Sequence, residues 1–202
     1  MSKLSLVRRL VGLGLIAGLV AGTSACAGGA NDGLAQQYRQ GDNKNYIAGD
    51  GSVTEFAKAN RGEPVVWSGT TELGATIGSA ELSGVVVVLN FWYSGCAPCR
   101  AEAPDLIAVE KQFKGQKVQV VGVNVRDTAA TTIAFERNFG LDYPSIIDNN
   151  TGSVLLAFTG IVTPQAVPTT IVIGRDGRVT SRILGRFEKG TLKSLIETAV
   201  AE

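Results

Sequence analysis

The chain has 202 residues, 45% of them hydrophobic and 18% charged, which is enough apolar sequence for one compact domain with a sizeable core. Its formal net charge is +1, and it becomes −2 when residues 1–25, which contain three basic residues and no acidic one, are left out. Neither value indicates the basic face that nucleic-acid binding requires, so nucleic acid is excluded as a partner. The chain contains no histidine, which excludes Ser-His and Cys-His nucleophile pairs and every histidine metal site.

Residues 1–25 have the pattern of an export signal. A basic start is followed by an apolar run over residues 10–20, too short and too rich in glycine for a membrane span, and then by small residues. The sequence TSAC, followed by AGGAND, resembles a bacterial lipoprotein signal, in which the cysteine, here Cys26, becomes lipidated and N-terminal. Simple secretion after cleavage at Ala25 is the alternative. We therefore expect the mature protein on the extracytoplasmic face of the bacterial cell membrane, attached through a lipid anchor.

Residues 26–62 are rich in Gly, Asn, Asp, Gln and Ala and contain few strong hydrophobic residues, which predicts a flexible tether. Within this segment, SVTEFAK is a candidate ordered piece leading into the domain. The domain itself is predicted over residues 63–202. Its first stretch, EPVVWSGTTELGATIGSAEL, alternates between glycines and predicts a β-hairpin that ends in a turn at Ser83-Gly84.

The centre of the domain alternates predicted strands and helices. The runs VVVVLNFW and KVQVVGVNV are almost continuously apolar, as in strands that are buried on both faces of a sheet. Residues 97–114 predict a helix. Residues 128–139 predict a second helix, with Asp127 as its N-cap and Gly140 at its end. YPSIIDN predicts a short strand, and SVLLAF predicts a helical turn or two.

The C-terminal part adds a hairpin and a helix. The strands PTTIVIG and RVTSRILG are separated by the turn sequence Arg175-Asp176-Gly177, and residues 188–200 have an amphipathic helical pattern. The predicted order is β-β-β-α-β-α-β-α-β-β-α. A central β-α-β crossover and a terminal hairpin predict the α/β class, with a central mixed sheet that carries helices on both faces.

The segment NFWYSGCAPCRAEAP contains two cysteines three positions apart, Cys96 and Cys99. A zinc site is disfavoured because structural zinc needs four ligands, and besides this pair the chain offers only one distant cysteine and no histidine. A copper(I) site formed by the two thiolates alone remains an alternative. A structural staple is disfavoured because a bridge across two residues restrains the unfolded chain very little. With Cys26 assigned to the anchor, the remaining pair can form a disulfide in the oxidising compartment that an exported chain enters.

Dithiol–disulfide chemistry needs a strand, a short loop and a helix whose N-terminus carries the two cysteines, which is the predicted order around this pair. A helix N-terminus stabilises a thiolate through its partial positive charge and its free N–H groups. We expect Cys96, on the loop, to be the exposed attacking sulfur. We expect Cys99, one turn into the helix, to be the shielded resolving thiol.

The motif NFWYSGCAPC, the helix after it, and VPTT before a later strand resemble the thioredoxin superfamily. More narrowly, they resemble the TlpA/ResA-like membrane-tethered thiol–disulfide oxidoreductases of cytochrome c maturation. The similarity covers residues 63–200 and implies a three-layer thioredoxin-like fold with an extra N-terminal β-hairpin. It also implies a cis-proline opposite the disulfide, matched here by Pro168, with Val167 as part of the platform that binds a substrate chain. An ordinary proline at the start of a strand is the alternative.

Further positions follow from the same resemblance. Trp92 is expected to shield the disulfide, with a simple core role as the alternative. Ala97 and Pro98, between the cysteines, are expected to tune thiolate stability and to complete the substrate-binding surface. Arg126 and Asp127, at the end of a predicted strand near the active-site edge, are candidates for contact with a partner.

The resemblance implies two different positions for a proton carrier. Thioredoxins have a buried aspartate two residues before the tryptophan of the motif, where this chain has Asn90, which cannot titrate. TlpA/ResA-like proteins have a glutamate three residues after the second cysteine, which is Glu102 here, and i,i+3 spacing on a helix places it beside Cys99. The hypothesis is that Glu102 accepts the proton of Cys99; a solvated first-turn glutamate is the alternative.

The resemblance implies a reductant of protein disulfides that needs no cofactor. Its expected substrate is apocytochrome c or a redox carrier, and its expected electron donor is a membrane thiol-electron transporter of the CcdA/DsbD type. The alternatives are a disulfide oxidant or isomerase for secreted proteins, and a non-catalytic copper(I) thiol chaperone. A thiol peroxidase is disfavoured because the spacing Pro-x-x-x-Thr-x-x-Cys does not occur around Cys96.

Overall fold

The structure of the protein is a computed structural model that describes residues 49–163 and 166–202. The predicted signal peptide, Cys26 and the first part of the predicted tether lie outside the described residues. Within the two described ranges, no helix combines the length and the apolar character that crossing a membrane requires.

The order of elements follows the predicted order, with one additional strand at the start. In chain order the described residues form β1 (Ser52–Glu55), a short 3₁₀ helix (Lys58–Asn60), β2 (Ser68–Thr70), β3 (Thr76–Gly78), β4 (Val86–Trp92), α1 (Ala97–Phe113), β5 (Val118–Asn124), α2 (Ala129–Phe139), β6 (Ser145–Ile147), α3 (Ser153–Ala157), β7 (Thr169–Ile173), β8 (Val179–Leu184) and α4 (Lys189–Ala201).

The central sheet has six strands in the order β1-β8-β7-β4-β5-β6. β4 pairs with β5, and β5 with β6, in parallel, whereas β4 pairs with β7, β7 with β8, and β8 with β1 in antiparallel fashion. The sheet is therefore mixed, as predicted. β2 and β3 form a separate antiparallel hairpin, which confirms the extra N-terminal hairpin.

Helices cover both faces of this sheet, which confirms the predicted three layers. All seven residues of β4 are buried, and because side chains alternate along a strand, they supply two hydrophobic clusters. One cluster joins β4 to α1 and α4 and contains Val86, Val88, Leu106, Leu192 and Ile196. The other joins β4 to α2 and α3 and contains Val87, Leu89, Phe91, Phe135 and Val154.

The folded domain begins before residue 63, so the predicted boundary between tether and domain is wrong. β1 lies within the predicted tether and pairs with β8 from Ser52 opposite Leu184 to Glu55 opposite Ser181. The candidate ordered piece SVTEFAK contains this strand, but hydrophobic periodicity did not predict a strand there, because the strand is mostly exposed and polar. Main-chain pairing places it at the sheet edge, and Phe56, the residue after it, packs against the core.

The N-cap of α2 is Thr128, not the predicted Asp127. The Thr128 hydroxyl accepts a hydrogen bond from the main-chain N–H of Thr131 at 3.3 Å, and the helix begins at Ala129. Asp127 has other partners, because its carboxylate accepts hydrogen bonds from the loop that precedes Cys96. Gly140 ends the helix as predicted, with a φ of 74° that is left-handed and favours glycine.

Candidate active site

Cys96 and Cys99 form a disulfide at the N-terminus of α1. The central strand β4 ends at Trp92, and a three-residue loop leads from it to Cys96, which is the N-cap of the helix. The main-chain N–H of Cys99 points at Sγ of Cys96, with 3.2 Å between nitrogen and sulfur. This is the geometry in which a helix N-terminus stabilises a thiolate at the N-cap position.

The expected difference in exposure between the two cysteines is absent in the disulfide form. Cys96 is 0% exposed and Cys99 is 4% exposed, so the prediction of an exposed Cys96 is wrong for this state. The bond to Cys99 holds the Cys96 sulfur over the first turn of the helix, where it belongs to the same hydrophobic cluster as Tyr93 and Val167. Ala97, between the cysteines, is exposed instead.

The peptide bond between Val167 and Pro168 is cis, as the resemblance implied. β7 begins at the next residue, Thr169, which lies opposite Phe91 in the antiparallel pairing of β7 with β4. The proline therefore lies at the end of β4 that leads into the cysteine loop. Both Val167 and Pro168 are buried in this state.

Glu102 is buried inside the domain, with 1% of its surface exposed, which excludes the alternative of a solvated first-turn glutamate. The Asn90 amide donates to Oε1 at 2.8 Å, and the main-chain N–H of Phe187 donates to Oε2 at 3.4 Å. Loss of hydration raises the pKa of Glu102 to about 8, although both hydrogen bonds favour the carboxylate and act in the opposite direction. At neutral pH the group is therefore mostly protonated.

A cavity of about 10 Å³ joins Glu102 to the resolving cysteine. Its lining includes Asn90, Trp92, Cys99, Glu102 and Tyr143. A cavity of this size matches the space that one water molecule occupies. The two sequence positions at which a proton carrier was expected, 90 and 102, are therefore in direct contact: Asn90 is the hydrogen-bond donor and Glu102 is the titratable group.

A sequence model of the AhpC/TSA family matches residues 62–182, more than half of the chain. The chain belongs to the AhpC/TSA family. Among curated proteins, this family member is 35% identical to the thiol-disulfide oxidoreductase ResA of Bacillus subtilis (strain 168) over 119 residues. That alignment covers 59% of this chain and 64% of the Bacillus protein, so the chain spans slightly less than two thirds of that relative.

Solved structures confirm the thioredoxin-like fold of this AhpC/TSA family member. A secreted thiol-disulfide isomerase from Corynebacterium glutamicum superposes with a TM-score of 0.69 at 29% identity, covering 78% of this chain and 97% of that one. A DsbF homologue from Corynebacterium diphtheriae gives a TM-score of 0.65 at 29% identity, with 76% and 96% of the two chains covered.

Trp92 lies beside the disulfide region with 3% of its surface exposed. Its ring lies 4.6 Å from the ring of Phe135, measured between centroids, and it also lines the cavity that contains Cys99 and Glu102. The ring therefore belongs to the core cluster and borders the cavity next to Cys99, while its shielding of the disulfide stays a prediction.

Sequence reasoning missed two members of this site. Thr170 accepts a hydrogen bond from the Asn90 amide at 3.1 Å, because the pairing of β4 with β7 places the two residues opposite each other. Tyr143 lines the cavity from the segment before β6. The threonines after Pro168 could have indicated a hydrogen-bond partner for Asn90 if the pairing of β7 with β4 had been predicted. No sequence pattern indicated Tyr143.

Within the described residues, no cluster of three or more Asp, Glu, Cys or His side chains is placed to hold a metal ion.

Proposed function

We propose that the protein is an extracytoplasmic thiol–disulfide oxidoreductase that reduces protein disulfides through Cys96 and Cys99. The observation that carries this proposal is the disulfide at the N-terminus of α1 with a buried, protonatable Glu102 across a small cavity from Cys99. The relationship to ResA and to a secreted thiol-disulfide isomerase supports the same reaction class.

In the reductive reaction the Cys96 thiolate attacks one sulfur of a substrate disulfide. The substrate S–S bond breaks, one substrate sulfur leaves as a thiolate, and a mixed disulfide with Cys96 forms. The Cys99 thiolate then attacks Sγ of Cys96 and releases the second substrate sulfur. The substrate has gained two electrons and takes up the two protons that the cysteines gave up, while the protein is left with the Cys96–Cys99 disulfide.

Glu102 is the group that moves the proton of Cys99. In the disulfide form its pKa of about 8 keeps it protonated at neutral pH, so it can protonate Cys99 when a donor thiol opens the disulfide. In the opposite half-reaction the carboxylate accepts the proton of Cys99. The pKa of an ordinary cysteine thiol is about 8.5, so the transfer is nearly balanced in either direction.

The proposed binding surface for the substrate chain runs across the cis-proline and the start of the helix that carries the cysteine pair. Val167 and Pro168, joined by a cis bond, lie directly before β7 and are the proposed platform for an extended substrate segment. Ala97 and Pro98 lie on the outer side of the helix start, and Trp92 lies behind the disulfide. This surface accepts an extended segment of a protein substrate rather than a small molecule.

The proposed substrate is apocytochrome c or a redox carrier that serves it, and the proposed electron donor is a membrane thiol transporter of the CcdA/DsbD type. A reductant in an oxidising compartment needs such a donor, because otherwise its cysteines stay oxidised. Cys26 is the proposed site of lipidation, which would hold the domain at the extracytoplasmic face of the cell membrane. Radiolabelled palmitate incorporation into the full chain, compared with a Cys26→Ser variant, tests this anchor.

Two measurements test the proposal. A Cys99→Ala variant is expected to accumulate a mixed disulfide through Cys96 with its substrate, since the resolving thiol is missing. In cells, the wild-type cysteine pair is expected to be at least partly reduced and to become oxidised when the transporter is deleted. A pair that is fully oxidised and indifferent to the transporter would rule out the reductant role.

The second candidate is a disulfide isomerase or oxidant for secreted proteins. It is favoured by the 29% identity to a protein described as a secreted thiol-disulfide isomerase. The reduction potential distinguishes the two, since thioredoxin lies near about −270 mV and the oxidant DsbA near about −120 mV. A value close to that of DsbA supports the oxidant, and a value near that of thioredoxin supports the reductant.

A further inference from the structure

The loop that carries the cysteines is held by a second loop, the one that follows β5. In the first loop, residues 93–95 connect β4 to Cys96; in the second, residues 125–128 connect β5 to α2. Because β4 and β5 are parallel neighbours, their carboxyl ends lie at the same edge of the sheet. The contacts between the two loops involve a carboxylate and a cation from the second loop.

Asp127 contributes the carboxylate. Its Oδ2 accepts a hydrogen bond from the main-chain N–H of Ser94 at 2.6 Å, and its Oδ1 accepts one from the Ser94 hydroxyl at 2.9 Å. Hydrogen bonds to an ionised group are shorter and stronger than those between neutral groups. A single carboxylate thus fixes both the backbone and the side chain of Ser94, two residues before the attacking cysteine.

Asp127 is itself held in place by the end of β5. The fully buried Asn124 donates from Nδ2 to Oδ2 of Asp127 at 2.9 Å. The carbonyl oxygen of the Asn124 side chain accepts from the main-chain N–H groups of Arg126 and Asp127, at 3.1 Å and 2.8 Å. The carboxylate therefore has a fixed position relative to the rigid central sheet.

Further contacts hold Tyr93 and Ser94 of the cysteine loop. The guanidinium of Arg126 lies 4.5 Å above the ring centroid of Tyr93, and Arg100 donates to the Ser94 carbonyl at 3.3 Å. The turn closes with a hydrogen bond from the Cys96 main-chain N–H to the Tyr93 carbonyl at 3.1 Å. None of these contacts uses a cysteine sulfur, so opening the disulfide removes none of their donor or acceptor atoms.

From this geometry we infer that Asp127 is a positioning residue for the reaction, which holds Cys96 at the N-cap of α1 through Ser94. The inference rests on the proposed thiol–disulfide function. At the N-cap, the Cys96 sulfur faces the main-chain N–H of Cys99, which stabilises the thiolate that attacks the substrate. Arg126 and Asp127, which the sequence suggested as partner contacts, thus also support the protein's own cysteine loop.

Whether Cys96 reacts faster or more slowly when Asp127 is replaced distinguishes a positioning role from a purely electrostatic one. Removing a negative charge near a thiolate stabilises that thiolate, so a purely electrostatic role predicts faster reaction of Cys96 when Asp127 is neutralised. Loss of positioning predicts slower reaction, because Cys96 spends less time at the helix N-terminus. The stabilisation that a helix N-terminus typically gives an anion corresponds to a roughly two- to five-fold change in the thiolate population.

The experiment measures iodoacetamide alkylation of Cys96 at pH 7 in the full chain carrying Cys99→Ala. Asp127→Ala is expected to lower the alkylation rate roughly two- to five-fold. Ser94→Ala removes one hydrogen bond and no charge, and it is expected to lower the rate in the same direction by a smaller factor. An unchanged or faster rate in either variant overturns the inference, and Ser94→Ala alone decides if Asp127→Ala does not fold.

Asp148→Asn is the matched control. Like the half-buried Asp127, Asp148 is a loop carboxylate that accepts main-chain hydrogen bonds, but it is buried and caps the start of α3 instead of the cysteine loop. Its donors are Val154 at 3.1 Å and Leu155 at 2.9 Å. It is expected to lower the melting temperature and leave the alkylation rate unchanged; an equal drop in rate overturns the inference in favour of general destabilisation. Alkylation needs no substrate, so failure to reduce protein disulfides would reject the proposed function without affecting this result.

Discussion

Asn90 and Glu102 show how a buried titratable group is accommodated next to the cysteines. An ionised carboxylate in the interior is unfavourable unless it is well hydrogen-bonded. Both Glu102 oxygens have a donor, yet the pKa of Glu102 is still raised to about 8 by burial. A group that is costly to ionise and lies on the cavity next to Cys99 supports the proposed role of Glu102 in proton transfer.

Replacing Glu102 with Gln keeps the size of the side chain and one of its two acceptor oxygens, and it is expected to remove the proposed proton transfer. Reduction of the Cys96–Cys99 disulfide by a small thiol should slow about 100-fold at pH 7, the lower range of general acid catalysis. The wild-type rate, corrected for ionisation of the attacking thiol, should fall as the pH rises through about 8, where Glu102 loses its proton. The Gln variant should show no such fall; stopped-flow measurements with an identical pH profile in both proteins would contradict the assignment.

The same group makes stability depend on pH. The folded-state pKa of Glu102, about 8, lies above the ordinary value of 4.5, so the folded protein binds more protons than the unfolded chain between these values. The free energy of unfolding should therefore decrease as the pH rises from about 4.5 to about 8. In Glu102→Gln this decrease should be smaller by a few kcal/mol, since a displacement of one in pKa corresponds to about 1.4 kcal/mol.

Urea unfolding at pH 5 and pH 8 measures this difference. Glu136 is a second carboxyl whose pKa burial raises, to about 7, and it acts in the same pH range in both proteins. The comparison of wild type with Glu102→Gln therefore isolates Glu102, provided that both have the disulfide intact. Equal losses of stability in the two proteins would show that Glu102 titrates at its ordinary pKa.

The strands and helices differ in how well the sequence predicts them. β4 and β5 are predicted correctly because strands buried on both faces need continuous apolar runs, and Gly140 ends α2 because its φ is left-handed. β1 is predicted only as part of an ordered piece, SVTEFAK, and not as a strand, since an exposed edge strand needs only main-chain pairing. The position of Glu102 follows from helical spacing. Its hydrogen bond from Phe187 and the cavity that it shares with Tyr143 depend on tertiary packing that one sequence does not reveal.

The pairing of β5 with its neighbours leaves no room for a side chain at Gly122. A Cβ there would lie 2.5 Å from Oγ of Ser145 and 2.8 Å from Nε1 of Trp92, both closer than non-bonded atoms approach. Gly122→Ala is therefore expected to destabilise the protein by about 1–3 kcal/mol, the usual cost of overpacking. It should also move Trp92 away from Cys99. The change in tryptophan fluorescence that accompanies reduction of the disulfide should then differ between the variant and the wild type.

Gly190→Ala is the matched control for this prediction. Gly190 lies in the first turn of α4, and a Cβ there would meet no atom within 4 Å. The substitution is expected to stabilise the protein by about 0.5–1 kcal/mol, because alanine loses less backbone entropy in a helix. Opposite signs for the two variants in thermal unfolding support the packing explanation, and equal effects would contradict it.

Considered as a whole, the domain is closed by contacts between its two ends. The main-chain N–H groups of Gly51 and Phe56 donate to Leu184 and Thr180 of β8, at 2.7 Å and 2.8 Å. Arg61 forms an ion pair with the C-terminal residue Glu202. Residues 49–62 are therefore part of the folded unit, and the predicted tether is expected to end N-terminal to β1.

A chain that starts at residue 63 should accordingly be less stable than one that starts at residue 49. It lacks the pairing of β1 with β8, the packing of Phe56 and the ion pair of Arg61, and we expect a loss of about 2–4 kcal/mol, since each main-chain hydrogen bond contributes about 1 kcal/mol. Removing β1 also leaves β8 as an unpaired edge, which favours association between chains. Urea unfolding measures the loss of stability, and sedimentation velocity measures the association.

A chain starting at residue 26 is the control and should match the one starting at residue 49, because the tether is predicted to add no stability. If the chain starting at residue 63 were equally stable and monomeric, β1 would be an appendage of the domain, and the tether could extend to residue 62 as its composition suggests.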